Sequence, residues 1–289
     1  MSKDFKNPNE ISGVKRTERE VYKPPVPIDS ISVERKDGCV VCYIDELSDE
    51  LKELIRGEIS HVCYGRQQVD EDGLCHYSYK KTLADFLNRY RPKPENTRKG
   101  MIGEFVAHLI INKVLENLKT ISVFFNKEDQ GIKKGFDLNY VDADGTAIWY
   151  GEVKSGEVPK GSRPDSKNRE LLGEAKSSLG GLLSGERPNI WDSVIIDAKL
   201  SFAADESKRV GDLLKMDISQ IQKDSATKKN AILISVLFHN VKNRINPGQV
   251  KQHLDEVIAE SIFSRVIIFS IQKSTYQKIE EFLSAELSK

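Results

Sequence analysis

Gly135-Phe-Asp-Leu-Asn-Tyr-Val-Asp-Ala-Asp-Gly-Thr-Ala-Ile-Trp-Tyr-Gly-Glu-Val-Lys154 is the stretch on which the fold is decided. Two runs with the two-residue alternation of strands flank Asp144-Gly145, a pair that favours a tight hairpin turn. If those two residues close the turn, Ala143 pairs with Thr146 and Asp137 stands opposite Glu152. A four-residue loop from Asp142 to Gly145 moves the two acids to a diagonal but keeps them on one face, because both loops are even. Glu152 and Lys154 share that face by strand periodicity, and Val153 points the other way. Two carboxylates and a lysine on one side of a sheet suit phosphodiester hydrolysis. The acids can hold Mg²⁺ or Mn²⁺, hard ions that prefer oxygen ligands. The ion acidifies a bound water, and the lysine orients that water or steadies charge on the phosphate. The plain alternative is a surface hairpin whose acid and lysine face water.

Glu104, in Lys99-Gly-Met-Ile-Gly-Glu-Phe105, is the fourth candidate catalytic residue and, with Asp137 and Glu152, the third candidate metal ligand. It stands near the start of a helix apolar over most of its circumference, where an unpaired carboxylate is costly unless a metal or a lysine relieves it. His108, one turn later, reads as a core histidine or as a group behind the site. A second Glu-x-Lys, Gly173-Glu-Ala-Lys176, lies in a helical pattern with Leu171, Leu172, Ala175 and Leu179. Residues two apart diverge on a helix, so this copy is expected to be inert.

Outward from the hairpin, the pattern alternates helix and strand. A helix runs from a cap at Asn96 or Thr97 to about Leu118, and strands are expected at Ile121–Asn126, Phe136–Val141 and Thr146–Lys154. Two or three helices follow between Asp165 and Asp224. The strand Ala231–Phe238, a helix from about Gln249 to Ile262, the strand Arg265–Ile271 and a closing helix Thr275–Leu287 complete the chain. Two late strands that are apolar throughout describe a mixed central sheet flanked by helices on both faces. Residues 1–28 read as a charged, proline-bearing arm, and 29–92 as a small α+β domain opening on the hairpin Ile31–Glu34 and Cys39–Ile44, followed by a helix from Ser48 to about Ile59. Arg91-Pro92-Lys93-Pro94 marks the boundary, since two prolines so close exclude both helix and central strand. Residues 93–289 form the larger α/β domain.

The 289 residues carry 44 basic and 44 acidic side chains, so no global surplus is available to neutralise phosphates. A nucleic-acid enzyme of this composition needs a local basic patch or a partner that delivers substrate. Two clusters flank the proposed site: Arg89, Arg91, Lys93, Arg98 and Lys99 before it, and Lys160, Arg163, Lys167 and Arg169 after it. Each suits phosphate contact or plain solvation. The polar start and the lack of a long apolar run lead to a cytoplasmic expectation. Cys39, Cys42, Cys63 and Cys75 read as reduced core residues, with a zinc site as the alternative.

Gly103-Glu104, Phe136-Asp137 and Glu152-Val-Lys154, in that order, resemble the PD-(D/E)XK nuclease superfamily, with Phe-Asp in place of the usual Pro-Asp. The Arg98-Lys99-Gly-x-x-Gly-Glu104 helix start, Gly135-Phe-Asp137 and Trp149-Tyr-Gly-Glu-Val-Lys154 are similar to the HamA family, the effector of the Hachiman anti-phage system. The resemblance covers about residues 96–270. It implies a restriction-endonuclease-like fold and an Mg²⁺-dependent deoxyribonuclease acting on DNA, with Glu104, Asp137, Glu152 and Lys154 as site residues. It also implies a hetero-complex with a superfamily 2 helicase, HamB, that restrains and feeds the nuclease. Competing expectations are a stand-alone restriction or DNA-repair endonuclease of the same fold, and a non-catalytic interaction subunit.

Overall fold

Strands β1 (Ile31–Lys36) and β2 (Cys39–Ile44) form the opening hairpin, turned at Asp37 and Gly38, both at positive φ. This computed structural model describes residues 28–71, 76–125, 135–184, 188–224 and 227–288. Helix α1 (Asp49–Tyr64) starts at Ser48, whose hydroxyl accepts the Leu51 N–H and satisfies one of the free donors of the first turn. Then come α2 (Arg66–Glu71), α3 (Tyr79–Tyr90) and α4 (Glu95–Val114). The proline pair lies between α3 and α4, with Pro94 at the α4 cap. The arm, apart from Ile28, lies outside the described residues.

The strand expected at Ile121–Asn126 is displaced: β3 covers Leu118–Thr120. The following amides are claimed elsewhere, Val123 by the Asp197 carboxylate and Phe124 and Phe125 by carbonyls at the end of α1. Asn126 lies outside the described residues. Next are β4 (Leu138–Asp142) and β5 (Ile148–Glu157), then helices α5 (Pro164–Ser184), α6 (Pro188–Ser201) and α7 (Ala204–Lys223). Strand β6 (Asn230–Phe238), α8 (Pro247–Ala259), β7 (Val266–Lys273) and α9 (Gln277–Leu287) close the chain.

The seven strands make one mixed sheet in the order β1-β2-β7-β6-β5-β4-β3. The centre, β2-β7-β6-β5, is parallel, and the outer pairs are antiparallel. Because β2 pairs with β7, the opening hairpin extends the same sheet that carries β4 and β5 rather than standing apart from it. One face packs on α1, α3, α4 and α9, and the other on α5 to α8. Both faces of the parallel strands are covered, which is why β6 and β7 read as continuous apolar runs.

Lys273 ends β7 fully buried, and its Nζ has no hydrogen-bond partner. Burial, with help from Lys278, pulls its pKa from 10.5 down to about 8. Between those values the unfolded chain holds a proton that the folded chain has released, so this group's contribution to stability rises with pH across that window. Lys273→Met is expected to raise stability at neutral pH by about 1–3 kcal/mol and to lose that rise. Urea unfolding of both proteins below and within the window checks it; a destabilised Met variant would contradict the reading.

Candidate active site at the β4–β5 fork

β4 and β5 pair from Val141↔Ile148 to Leu138↔Gly151. One further step of the same register sets Asp137 against Glu152. The turn itself differs from the simplest expectation. Gly145 donates to the Asp142 carbonyl, which places Ala143 and Asp144 at the turn centre and Gly145 in the left-handed region at φ 67°. The Asp142 carboxylate then takes the amides of Thr146 and Ala147 and the Thr146 hydroxyl. Six residues, Asp142 to Ala147, lie inside the Val141↔Ile148 pair, an even number, so the parity and the register of a two-residue turn are both kept.

At Asp137 the ladder opens. Its Oδ2 accepts the Val153 N–H at 2.8 Å, in place of a further backbone carbonyl, while β5 runs on to Glu157 beside β6 alone. Phe136, the residue before it, is buried against Tyr150 and Trp191, with ring centroids 4.9 and 5.2 Å away. That aromatic anchor fixes where Asp137 emerges. The Tyr150 hydroxyl in turn donates to Asp217, which also pairs with Lys229 at 2.8 Å and ties α7 to the strand.

Glu152 and Lys154 share the strand parity of Ile148 and Tyr150, so they project from the face that α5 covers. The Glu152 side chain is 5% exposed and that of Lys154 is 30% exposed. Lys154 Nζ donates to Glu152 Oε1 at 2.6 Å, and Ser178 Oγ of α5 donates to the same oxygen at 2.6 Å. Glu152 Oε2 is buried with no hydrogen-bond partner. Burial pulls the Lys154 pKa down, but Glu152, Asp137 and Glu174 together outweigh it and leave the ammonium above its ordinary value.

The structure thus brings Asp137, Glu152 and Lys154 together. Glu104 approaches from the other layer, on α4, which packs on the Trp149 and Val153 side of β5. Gly103 permits that approach: a Cβ there would lie 2.5 Å from the Ser155 Cβ. Among the described residues no three His, Cys, Asp or Glu side chains are spaced to share one ion, so Glu104, Asp137 and Glu152 do not form a three-ligand cluster. His108 is buried and packs edge-on to Phe124 at 5.8 Å.

Two neighbours of the site were not foreseen. Ser178 is half-buried beside the seam of Ala175 and Leu179 on α5, and the helical pattern alone gives no reason to single it out. Glu174 was expected to be inert. Lys176 does turn away, to Glu260 at 2.7 Å, yet the exposed Glu174 lies close enough to raise Lys154.

Residues 25–287 match the model of the HamA family. The chain belongs to this family. The match takes in residues 25–95 as well, where the sequence motifs were silent. HamA membership makes the protein a component of Hachiman defence. Among curated proteins the chain has no match.

For a HamA chain of zero net charge, the state of the cations near the fork matters. In the first cluster Arg98 pairs with Glu280 at 2.8 Å and Lys99 with Glu157 at 2.5 Å, while Arg89 lies over the Phe125 ring. In the second, Lys167 and Arg169 pair with Glu170 and Glu256. Lys160 and Arg163, exposed in the loop that leaves β5, have no ion-pair partner among the described residues. Cys39 and Cys42 fall on opposite faces of β2, as an offset of three in a strand requires, so they cannot bind one metal together. Burial pushes their thiols up to about 11 and about 12. Cys75 lies outside the described residues. No described helix is long and apolar enough to cross a membrane.

Proposed function

We propose that this HamA protein is a metal-dependent deoxyribonuclease of the PD-(D/E)XK type, the effector of its Hachiman system, restrained and fed by a helicase partner. The observation that carries the reading is the divided Glu152 carboxylate: one oxygen is taken twice, the other is buried and unpartnered, and Asp137 stands one register step away. An unmatched buried carboxylate oxygen is expensive, and a cation is the partner that removes the cost. Asp137 and Glu152 would hold Mg²⁺ or Mn²⁺, with waters and substrate phosphate completing the shell, as Mg²⁺ prefers. When bound, the ion acidifies a water and offsets phosphate charge.

The chain's own residues do the rest. Lys154, paired with Glu152, donates hydrogen bonds and positive charge toward a phosphate oxygen. Lys160 and Arg163, without an ion-pair partner among the described residues and on the loop after the same strand, suit contact with the flanking phosphates. Glu104 stays a candidate that acts from the α4 side. A cavity of about 450 Å³ lined by Glu58, His61 and His108 lies apart from the fork.

Supply of strong phosphate contacts by a helicase suits a nuclease without a basic surplus. Incubation of the purified chain with linear DNA is expected to give cleavage with Mg²⁺ or Mn²⁺ and none after EDTA. Co-expression with the helicase, followed by size exclusion, is expected to give a stable complex in which cutting is held in check. Cleavage unaffected by EDTA would overturn the metal reading, and a chain that binds DNA tightly and cuts no faster than the complex would remove the restraint.

A further inference from the structure

We propose that Ser178 is the positioning residue of the fork: with Lys154 it saturates Oε1 of Glu152 and so reserves Oε2 for a divalent cation. The inference rests on the metal reading above and adds a component from a different layer of the fold. Even in mid-strand, a glutamate side chain can rotate about its last bond and present either oxygen. Here two donors, both at 2.6 Å, converge on Oε1, one from the strand and one from α5. Rotation would break both bonds. The carboxylate is therefore held with Oε2 facing away from its donors, in a space that leaves it without a hydrogen-bond partner. A cation–oxygen contact is near 2.1 Å for Mg²⁺, and a carboxylate oxygen left without a donor is the kind of ligand such an ion takes.

The hydroxyl is itself held in place. Helix α5 packs on the sheet through Leu171, Leu172, Ala175 and Leu179, all buried. Further along, the buried Asn168 takes the Ser235 hydroxyl at 2.6 Å, and Ser235 also bonds Ser270 at 2.9 Å. Ser235 is the register partner of Lys154 on β6. The helix that carries Ser178 is thus pinned by a polar contact next to the strand position of Lys154, and its rotation about its own axis is fixed. A hydrogen bond that orients a ligating carboxylate is typically worth 10- to 100-fold in metal affinity.

The test is Mn²⁺ binding to the full-length protein by calorimetry, alongside unfolding in the absence of metal. Ser178→Ala is expected to weaken Mn²⁺ binding by about 10- to 100-fold. Ser178→Cys keeps the volume but donates poorly, and should follow alanine. Ser178→Thr keeps the hydroxyl and should stay close to wild type, and it serves as the folded comparison if either other variant is unstable. Unchanged Mn²⁺ affinity in a folded Ser178→Ala or Ser178→Cys protein, with lowered stability alone, would assign Ser178 a packing role and overturn the inference. Glu152→Ala separates the two levels. If it binds Mn²⁺ as wild type does, the metal reading itself fails; if it loses binding while Ser178→Ala does not, only the positioning role fails.

Discussion

Glu152→Ala is expected to lower metal-supported DNA cleavage by at least about 10³-fold, which is about 4 kcal/mol of transition-state stabilisation, while the protein stays folded. The loss is large because this carboxylate has two roles at the fork. It offers Oε2 to the cation and, through Oε1, fixes the Lys154 ammonium beside it. The fold is spared for a related reason. The variant removes a buried carboxylate that has one oxygen unmatched, so the desolvation cost disappears with the contacts. The lysine left behind is 30% exposed and can turn to water. Cleavage assays paired with urea unfolding check both halves. A variant that cuts normally removes Glu152 from the site, and a variant that fails to fold makes it structural.

Asp137→Asn is expected to reduce cleavage by about 10²- to 10³-fold with little change in stability. Asparagine retains an oxygen that can accept the Val153 N–H, so the end of the β4–β5 ladder stays closed. What it gives up is the negative charge needed by a divalent cation and felt by Lys154. Asp137→Ala gives up both and leaves the Val153 amide unmatched, at a further cost of about 1–3 kcal/mol in stability. The pair of variants divides the residue's structural contribution from its charge. If asparagine cut as well as aspartate, the hydrogen bond to Val153 would be the whole of what Asp137 does.

Much of this was legible in the sequence because it depends on parity. Glu152 and Lys154 share a face whatever the rest of the chain does, and an even loop forces Asp137 onto it. The turn type was misjudged, since the Asp142 side chain gathers the Thr146 and Ala147 amides and moves the turn centre to Ala143 and Asp144. That change left the register intact. The split of Cys39 from Cys42 follows from the same periodicity.

Contacts between layers were not legible. Ser178 borders the apolar stripe of α5 while Ser177 lies on its exposed side, but the helical pattern does not say which strand residue Ser178 meets. The pairing of β2 with β7 joins residues more than two hundred positions apart, and nothing local announces it. The prolines after Arg91 end α3 and cap α4, a local instruction that says nothing about how the sheet continues. Glu104 shows the same limit from the other side. Its place on α4 was readable, but not its relation to the α5 face of β5.

The most direct measurement is cleavage of linear duplex DNA by wild type and Glu152→Ala in one assay, with Mg²⁺ titrated in and EDTA added at the end. The fork predicts product from wild type that grows with Mg²⁺ and stops with EDTA, and none from the variant at any concentration. Equal cleavage by the two proteins, or cleavage by wild type that persists in EDTA, would contradict a metal site built on Glu152.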